Sequence, residues 1–112
     1  MRTAESLTIC GFQEMVDRWI RSTGKGYFSP LTNMAILSEE TGEVGRIMAR
    51  LYGDQTPKAG DKATLADLGE ELADVVRVVV AIANQTGIDL ATELLAKAER
   101  IELRDAGRHK AE

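Results

Sequence analysis

Residues 65–87, LADLGEELADVVRVVVAIANQTG, decide how the chain folds. Leu65, Leu68, Leu72, Val75, Val79 and Ile82 recur at alternating steps of three and four, the spacing of one helical face. The second half is unusual, because Val75, Val76, Val78, Val79, Val80 and Ile82 leave Arg77 as the one polar side chain among them. Taken alone, such a β-branched run passes for a buried strand. The helical period begins ten residues earlier and continues without a break, so length and context favour helix. A helix that is apolar nearly all round must be covered on most sides. So short a chain offers few elements to cover it, and a second subunit is expected to do the rest.

Upstream, Ile9, Phe12, Val16, Trp19 and Ile20 form the apolar stripe of a first helix, ended by Ser22-Thr23-Gly24-Lys25-Gly26, whose glycines permit positive φ. Ser29 then serves as N-cap, with Pro30 at the first position of a second helix. Met34, Leu37, Val44, Met48 and Leu51 give that helix its apolar face, and it stops near Gly53. Residues 53–64, GDQTPKAGDKAT, read as a polar loop. Downstream, Gly87 closes the third helix and Asp89 caps a fourth that carries Leu90, Leu94, Ala98 and Ile101. Gly107 and the residues after it are expected to form a frayed tail. The fold class is therefore all-α, a four-helix bundle-like subunit spanning residues 1–112 as one domain.

Composition agrees, since 4% aromatic residues and two prolines suit helices better than a sandwich or barrel. Acidic residues outnumber basic ones 18 to 14, which argues against a nucleic-acid polymer as partner. A single nucleotide remains compatible, because a metal ion reverses the local sign of a site. One cysteine, Cys10, excludes an internal disulfide and fits a reducing compartment. No segment approaches the ~20 apolar residues of a membrane span, and the expected location is cytoplasmic. Cys10 itself reads as a small buried hydrophobe.

Two acidic clusters flank these apolar faces: Glu39, Glu40 and Glu43 in the second helix, and Glu70, Glu71 and Asp74 in the third. Residues three or four apart on a helix have Cβ atoms about 5–6 Å apart, so Glu40/Glu43 and Glu71/Asp74 each converge on one patch. Antiparallel packing of the two helices can join the patches. Acidic pairs on helices are often mere solvated surface. Here, however, Glu39 is followed at i+4 by Glu43 and Glu70 by Asp74, so like charges are stacked. A cation would relieve that repulsion, and an all-oxygen ligand set without His or Cys selects Mg²⁺ or Mn²⁺ over zinc.

The series Glu39-Glu40-Thr41-Gly42-Glu43 followed by Glu71-Leu72-Ala73-Asp74 resembles the EExxE…ExxD signature of the MazG family of nucleotide pyrophosphohydrolases. The likeness extends to Gly26-Tyr27-Phe28-Ser29-Pro30, to Ala83-Asn84-Gln85 with Ile88-Asp89-Leu90, and to Arg104-Asp105. The resemblance implies an all-α bundle working as a dimer or dimer of dimers. It implies Mg²⁺-dependent hydrolysis of a (deoxy)nucleoside triphosphate to monophosphate and pyrophosphate. It assigns metal binding to Glu40, Glu43, Glu71 and Asp74, with Glu39 as a further ligand or water-orienting base. A related helical enzyme, phosphoribosyl-ATP pyrophosphatase, shares the acidic spacing, but the Tyr-Phe-Ser-Pro and Ala-Asn-Gln segments speak against it. A ferritin-like di-metal bundle would use Glu-x-x-His pairs, and neither acidic helix holds a histidine. A non-catalytic helical interaction module is the third alternative.

Lys58 and Lys62 in the polar loop, and Arg104 and Arg108 near the C-terminus, are candidate phosphate contacts. Solvated loop lysines and dipole-complementing arginines are the plainer reading of the same four residues. Asn84 suits either a base or sugar contact or a helix end. Trp19 is a candidate stacking surface, although its place on the apolar stripe favours core. His109 reads as inert.

Overall fold

The computed structural model describes residues 2–54 and 63–109, with residues 108 and 109 described only as helical backbone. The described residues form α1 (Ile9–Ser22), α2 (Pro30–Tyr52), α3 (Leu65–Thr86) and α4 (Leu90–His109). The chain is all-α, and the β-branched run of α3 is helix throughout.

Each boundary has a local cause. The Thr8 hydroxyl accepts from the Gly11 N–H to cap α1, and Ser29 does the same for Thr32 with Pro30 at the start of α2. Thr64 and Asp67 form a reciprocal capping box at the head of α3. Gly87, at φ 74°, closes α3 in the left-handed conformation. Asp89 accepts from the Thr92 N–H at 3.4 Å and from its hydroxyl at 3.0 Å, holding the first turn of α4.

Two details depart from expectation. Positive φ after α1 falls on Lys25 (62°) and Gly26 (114°), not on Gly24. Gly24 is required for room instead, since a Cβ there would lie 3.0 Å from the Trp19 ring and 3.1 Å from the Ile20 backbone. In addition, α4 continues to His109, two residues past Gly107. One glycine in a last turn costs roughly 1 kcal/mol and need not end a helix.

Helix α3 is the shared spine. Against α1 it runs antiparallel, with Gln13 beside Asn84, Val16 beside Val80, and Trp19 beside Arg77. Against α2 it also runs antiparallel, from Asn33 beside Gln85 to Glu40 beside Glu71 and Asp74. Helix α4 leaves through the Gly87 turn and packs against α1. The buried core is small: Val16, Ile47, Val80, Ala81 and Ala83, with Asn33 as its one polar member among the described residues. Leu72, Val76 and Val79 of α3 stay exposed, as do Leu94, Leu95 and Leu103 of α4. The radius of gyration is 17.8 Å, against about 13 Å for a compact chain of this length.

Candidate active site

Glu40 on α2 meets Glu71 and Asp74 on α3, and one carboxylate oxygen from each lies within 4.8 Å of the others. Glu40 and Glu71 are half-buried, while Asp74 faces solvent. Burial pushes the Glu71 carboxyl above its ordinary value, and the charges of Asp74, Glu40 and Glu43 push it further the same way. Among the described residues, every group that shifts Glu71 raises it, which leaves the cluster under-compensated by them. Its oxygen-only donors and unrelieved repulsion fit a hard divalent cation.

Glu43 stands slightly apart, because Arg46 donates to its carboxylate at 3.2 Å. That i,i+3 pair escapes a search for basic partners made at i+4. Glu39 and Glu70 are exposed neighbours outside the three-carboxylate group.

A cavity of about 250 Å³ opens where α1, α2, α3 and the 23–29 turn meet. Ile36, one turn before Glu40, lines it from α2; Arg77 and Val78, one turn after Asp74, line it from α3. At a rise of ~1.5 Å per residue, the cavity begins about 6 Å from the carboxylates. Of the chain's one Trp, two Tyr and two Phe, Trp19, Tyr27 and Phe28 border this space. Trp19 is 50% exposed, so the apolar stripe of α1 does not bury it. Helix α3 covers only one side of α1 at that level, and the Arg77 guanidinium lies over the indole at 4.9 Å.

The turn bordering the cavity is latched to α1. Tyr27 donates its hydroxyl to Asp17 at 2.5 Å, and Arg21 donates to the same carboxylate at 2.9 Å. The Tyr27 bond, and then Arg21, hold the Asp17 carboxyl below its ordinary value. Burial raises the Tyr27 phenol, and the bond to Asp17 raises it further.

Asn84 has structural partners. Its Oδ1 accepts from Gln13 Nε2 at 3.0 Å, and its Nδ2 donates to the Gln13 carbonyl at 2.9 Å. Gln13 Nε2 also donates to the Ile88 carbonyl, and Gln13 Oε1 accepts from the Leu90 N–H. Gln85 accepts from Asn33 at 2.8 Å and donates to the Phe28 carbonyl at 2.9 Å. These amides fix the register of α1 and α2 on α3. Sequence reasoning missed Gln13 and Asn33 and took Gln85 only as part of a family-like segment, since a polar side chain bonded to another helix carries no local signature. Arg77 did carry one, being the single polar residue in the valine run.

Arg104 sits far along α4, exposed and bonded to Asp105 at 3.2 Å, and does not join the carboxylates within one chain. Lys58, Lys62 and the side chains of Arg108 and His109 lie outside the described residues. Cys10 is exposed on the first turn of α1 rather than buried, because Phe12, Val16 and Ile20 are the α1 residues that pack into the core. No helix among the described residues is long and apolar enough to cross a membrane.

A family model of the MazG nucleotide pyrophosphohydrolase domain matches residues 28–109. The uncharacterized protein YpjD of Bacillus subtilis (strain 168) is 42% identical over 85 residues, which is 74% of this chain and 73% of YpjD. The crystal structure of a Bacillus-conserved MazG protein, a nucleotide pyrophosphohydrolase, superposes with a TM-score of 0.73 at 35% identity, covering 87% of this chain and 92% of that one. The structure of YpjD from Bacillus subtilis also superposes at 0.73, with 36% identity over 86% of this chain and 94% of YpjD. With the acidic pair of helices in place and most of the chain matched, this protein belongs to the MazG family and is a nucleotide pyrophosphohydrolase.

Proposed function

We propose that this protein hydrolyses a (deoxy)nucleoside triphosphate to the monophosphate and pyrophosphate in a Mg²⁺-dependent reaction, with Mn²⁺ as substitute. The observation that carries this reading is the meeting of Glu40, Glu71 and Asp74 within 4.8 Å beside an aromatic-lined cavity. Glu40, Glu71 and Asp74 would hold the ion, joined by Glu43 once it leaves Arg46. When bound, the ion neutralises phosphate oxygens and lowers the pKa of water. Glu39, exposed and next in sequence to Glu40, takes the proton from the attacking water. The water oxygen bonds to the α-phosphorus, and the bond from that phosphorus to the α,β-bridging oxygen breaks. The electron pair leaves with pyrophosphate. No covalent enzyme intermediate is needed. The cavity takes the nucleoside, with Trp19 as a stacking surface on the face that Arg77 leaves uncovered.

The active unit in this proposal is a homo-oligomer, a dimer or dimer of dimers, working in the cytoplasm. Its support is the incomplete core: Val76 and Val79 are exposed on the spine helix, and Leu94, Leu95 and Leu103 on α4. Each such side chain gains roughly 1.5–3 kcal/mol when fully buried, and a patch of this kind marks an interface. In an isologous dimer, Arg104 and Arg108 could reach a phosphate across the subunit boundary. Lys58 and Lys62, which lie outside the described residues, are proposed to approach the triphosphate from the 53–64 segment.

Pyrophosphate release from a panel of nucleoside triphosphates, with Mg²⁺ and with a chelator, tests the reading. Metal-dependent release that disappears in Glu71→Gln is expected. Release that survives chelation or that substitution would overturn it. So would silence toward every triphosphate, without stabilisation by Mg²⁺, as a non-catalytic module would show.

A further inference from the structure

Among the described residues, Arg77 is the charged member of an otherwise uncharged cavity wall, bordered by apolar Val16, Ile20, Ile36, Val78 and Ala81. Its guanidinium carbon lies 4.9 Å from the Trp19 ring centroid, inside the ~6 Å reach of a cation–π contact. Arg21, Arg46 and Arg104 each bind a neighbouring carboxylate. Arg77 pairs with none of the described residues, although Asp74 is one turn away on the same helix. The reason is directional. Arg77, Val80 and Asn84 form the stripe of α3 that faces α1, whereas Glu71, Asp74 and Gln85 form the stripe that faces α2. The guanidinium is thus turned from the carboxylates toward the indole. No described side-chain nitrogen is buried without a partner, so the guanidinium N–H groups open onto the cavity, where a ligand can accept from them.

We propose that Arg77 reads the edge of the substrate base, favouring guanine and cytosine nucleotides over adenine and uracil ones. This rests on the cavity's being the nucleoside site, as proposed above. A guanidinium has donors only, set in a planar fork that matches two neighbouring acceptors. Guanine presents O6 and N7, and cytosine presents O2 and N3. Adenine places the N6 amino donor beside N7, and uracil places the N3 proton between its two oxygens, so both interrupt the fork. Stacked on Trp19, the guanidinium is held at the wall and loses little freedom on binding. The cavity, at about 250 Å³, falls below the ~300–1,000 Å³ of sites for drug-sized ligands. It suits a base and part of a sugar, leaving the phosphates to the carboxylate end.

Trp19 is the chain's single tryptophan, so its fluorescence reports on this cavity alone. The reaction products GMP, CMP, AMP and UMP are titrated into the full chain with Mg²⁺. GMP and CMP should bind about tenfold tighter than AMP and UMP, the lower end expected of one bidentate contact. Arg77→Met keeps an apolar cover on the indole and should bring all four within about twofold. Arg77→Lys keeps the charge without the fork and should do the same, which guards against one variant misfolding. Equal weakening of all four in Arg77→Met would make Arg77 a phosphate contact and overturn the proposal. An unchanged ranking in the variants would reduce it to a cover for Trp19. Absence of quenching by any monophosphate, with metal-dependent pyrophosphate release intact, would place the base elsewhere. Ranked quenching without any release would instead sink the hydrolytic reading and leave Arg77's role standing.

Discussion

Replacing Asn84 by Ala separates a structural amide from a substrate contact. The substitution deletes two cross-helix hydrogen bonds, Gln13 Nε2 to Asn84 Oδ1 at 3.0 Å and Asn84 Nδ2 to the Gln13 carbonyl at 2.9 Å. Each is worth about 0.5–1.5 kcal/mol net, so the expected loss is about 2 kcal/mol. A domain of this size loses roughly 4–8 °C in Tm per kcal/mol, which makes a drop of about 10 °C. Asn84→Asp keeps the acceptor for Gln13 Nε2 and loses the donor, so it should fall about halfway. The assay is thermal unfolding by circular dichroism at one fixed protein concentration, because assembly makes Tm concentration-dependent. Pyrophosphate release well below the transition should show KM changed by less than about twofold, as expected when no substrate contact is lost. A variant within about 0.5 kcal/mol of the native protein, the range of an ordinary surface change, would refute the reasoning if its KM also rose tenfold or more. Asn84 would then touch substrate.

Glu40→Gln and Asp74→Asn should each abolish turnover while helical circular dichroism is retained; near-normal activity with Mg²⁺ would remove these residues from the metal set. In the metal-free protein the raised Glu71 carboxyl predicts a pH dependence with a definite sign. The folded state favours the protonated form, so this stabilisation is full below the ordinary value of 4.5 and is lost as pH rises through the raised value. Chelator-treated protein should therefore melt lower as pH rises above that range, Mg²⁺ should reverse the loss, and Glu71→Gln should flatten the profile. Light scattering at micromolar concentration should give a multiple of the 12.2 kDa chain mass. A fully active monomer would show that the exposed faces of α3 and α4 need no cover.

The helices were legible because their signals are local. The three-and-four spacing of α3, the Ser29-Pro30 start, the Gly87 stop and the Asp89 cap each act within a few residues. Pairing within a helix was legible for the same reason, so Glu71 and Asp74 read as one patch. What joins Glu40 to them is the register of α2 on α3, set by Asn33 and Gln85 at 52 residues' separation. Trp19 read as core because a stripe predicts which side chains share a face but not how far the partner helix reaches. Cys10 misled for another reason, since free cysteines are commonly buried and nothing local marks this one as exposed. Asn84 left two readings open, since its partner Gln13 lies 71 positions away.

The amide clasp also bears on the order in which the molecule assembles. Its bonds from Gln13 to Asn84, Ile88 and Leu90 span 71, 75 and 77 positions, whereas α2 and α3 are joined by the short 53–64 segment. Closing the longer loop costs more chain entropy and offers its contacts later. The α2–α3 hairpin, which carries every carboxylate of the phosphate half, can nucleate by itself, and the base half exists only after α1 docks. Gln13→Ala should therefore speed unfolding and leave the folding rate nearly untouched, with Ala81→Gly slowing folding. The reverse pattern would mean that α1 belongs to the nucleus, and that both halves of the site are born together.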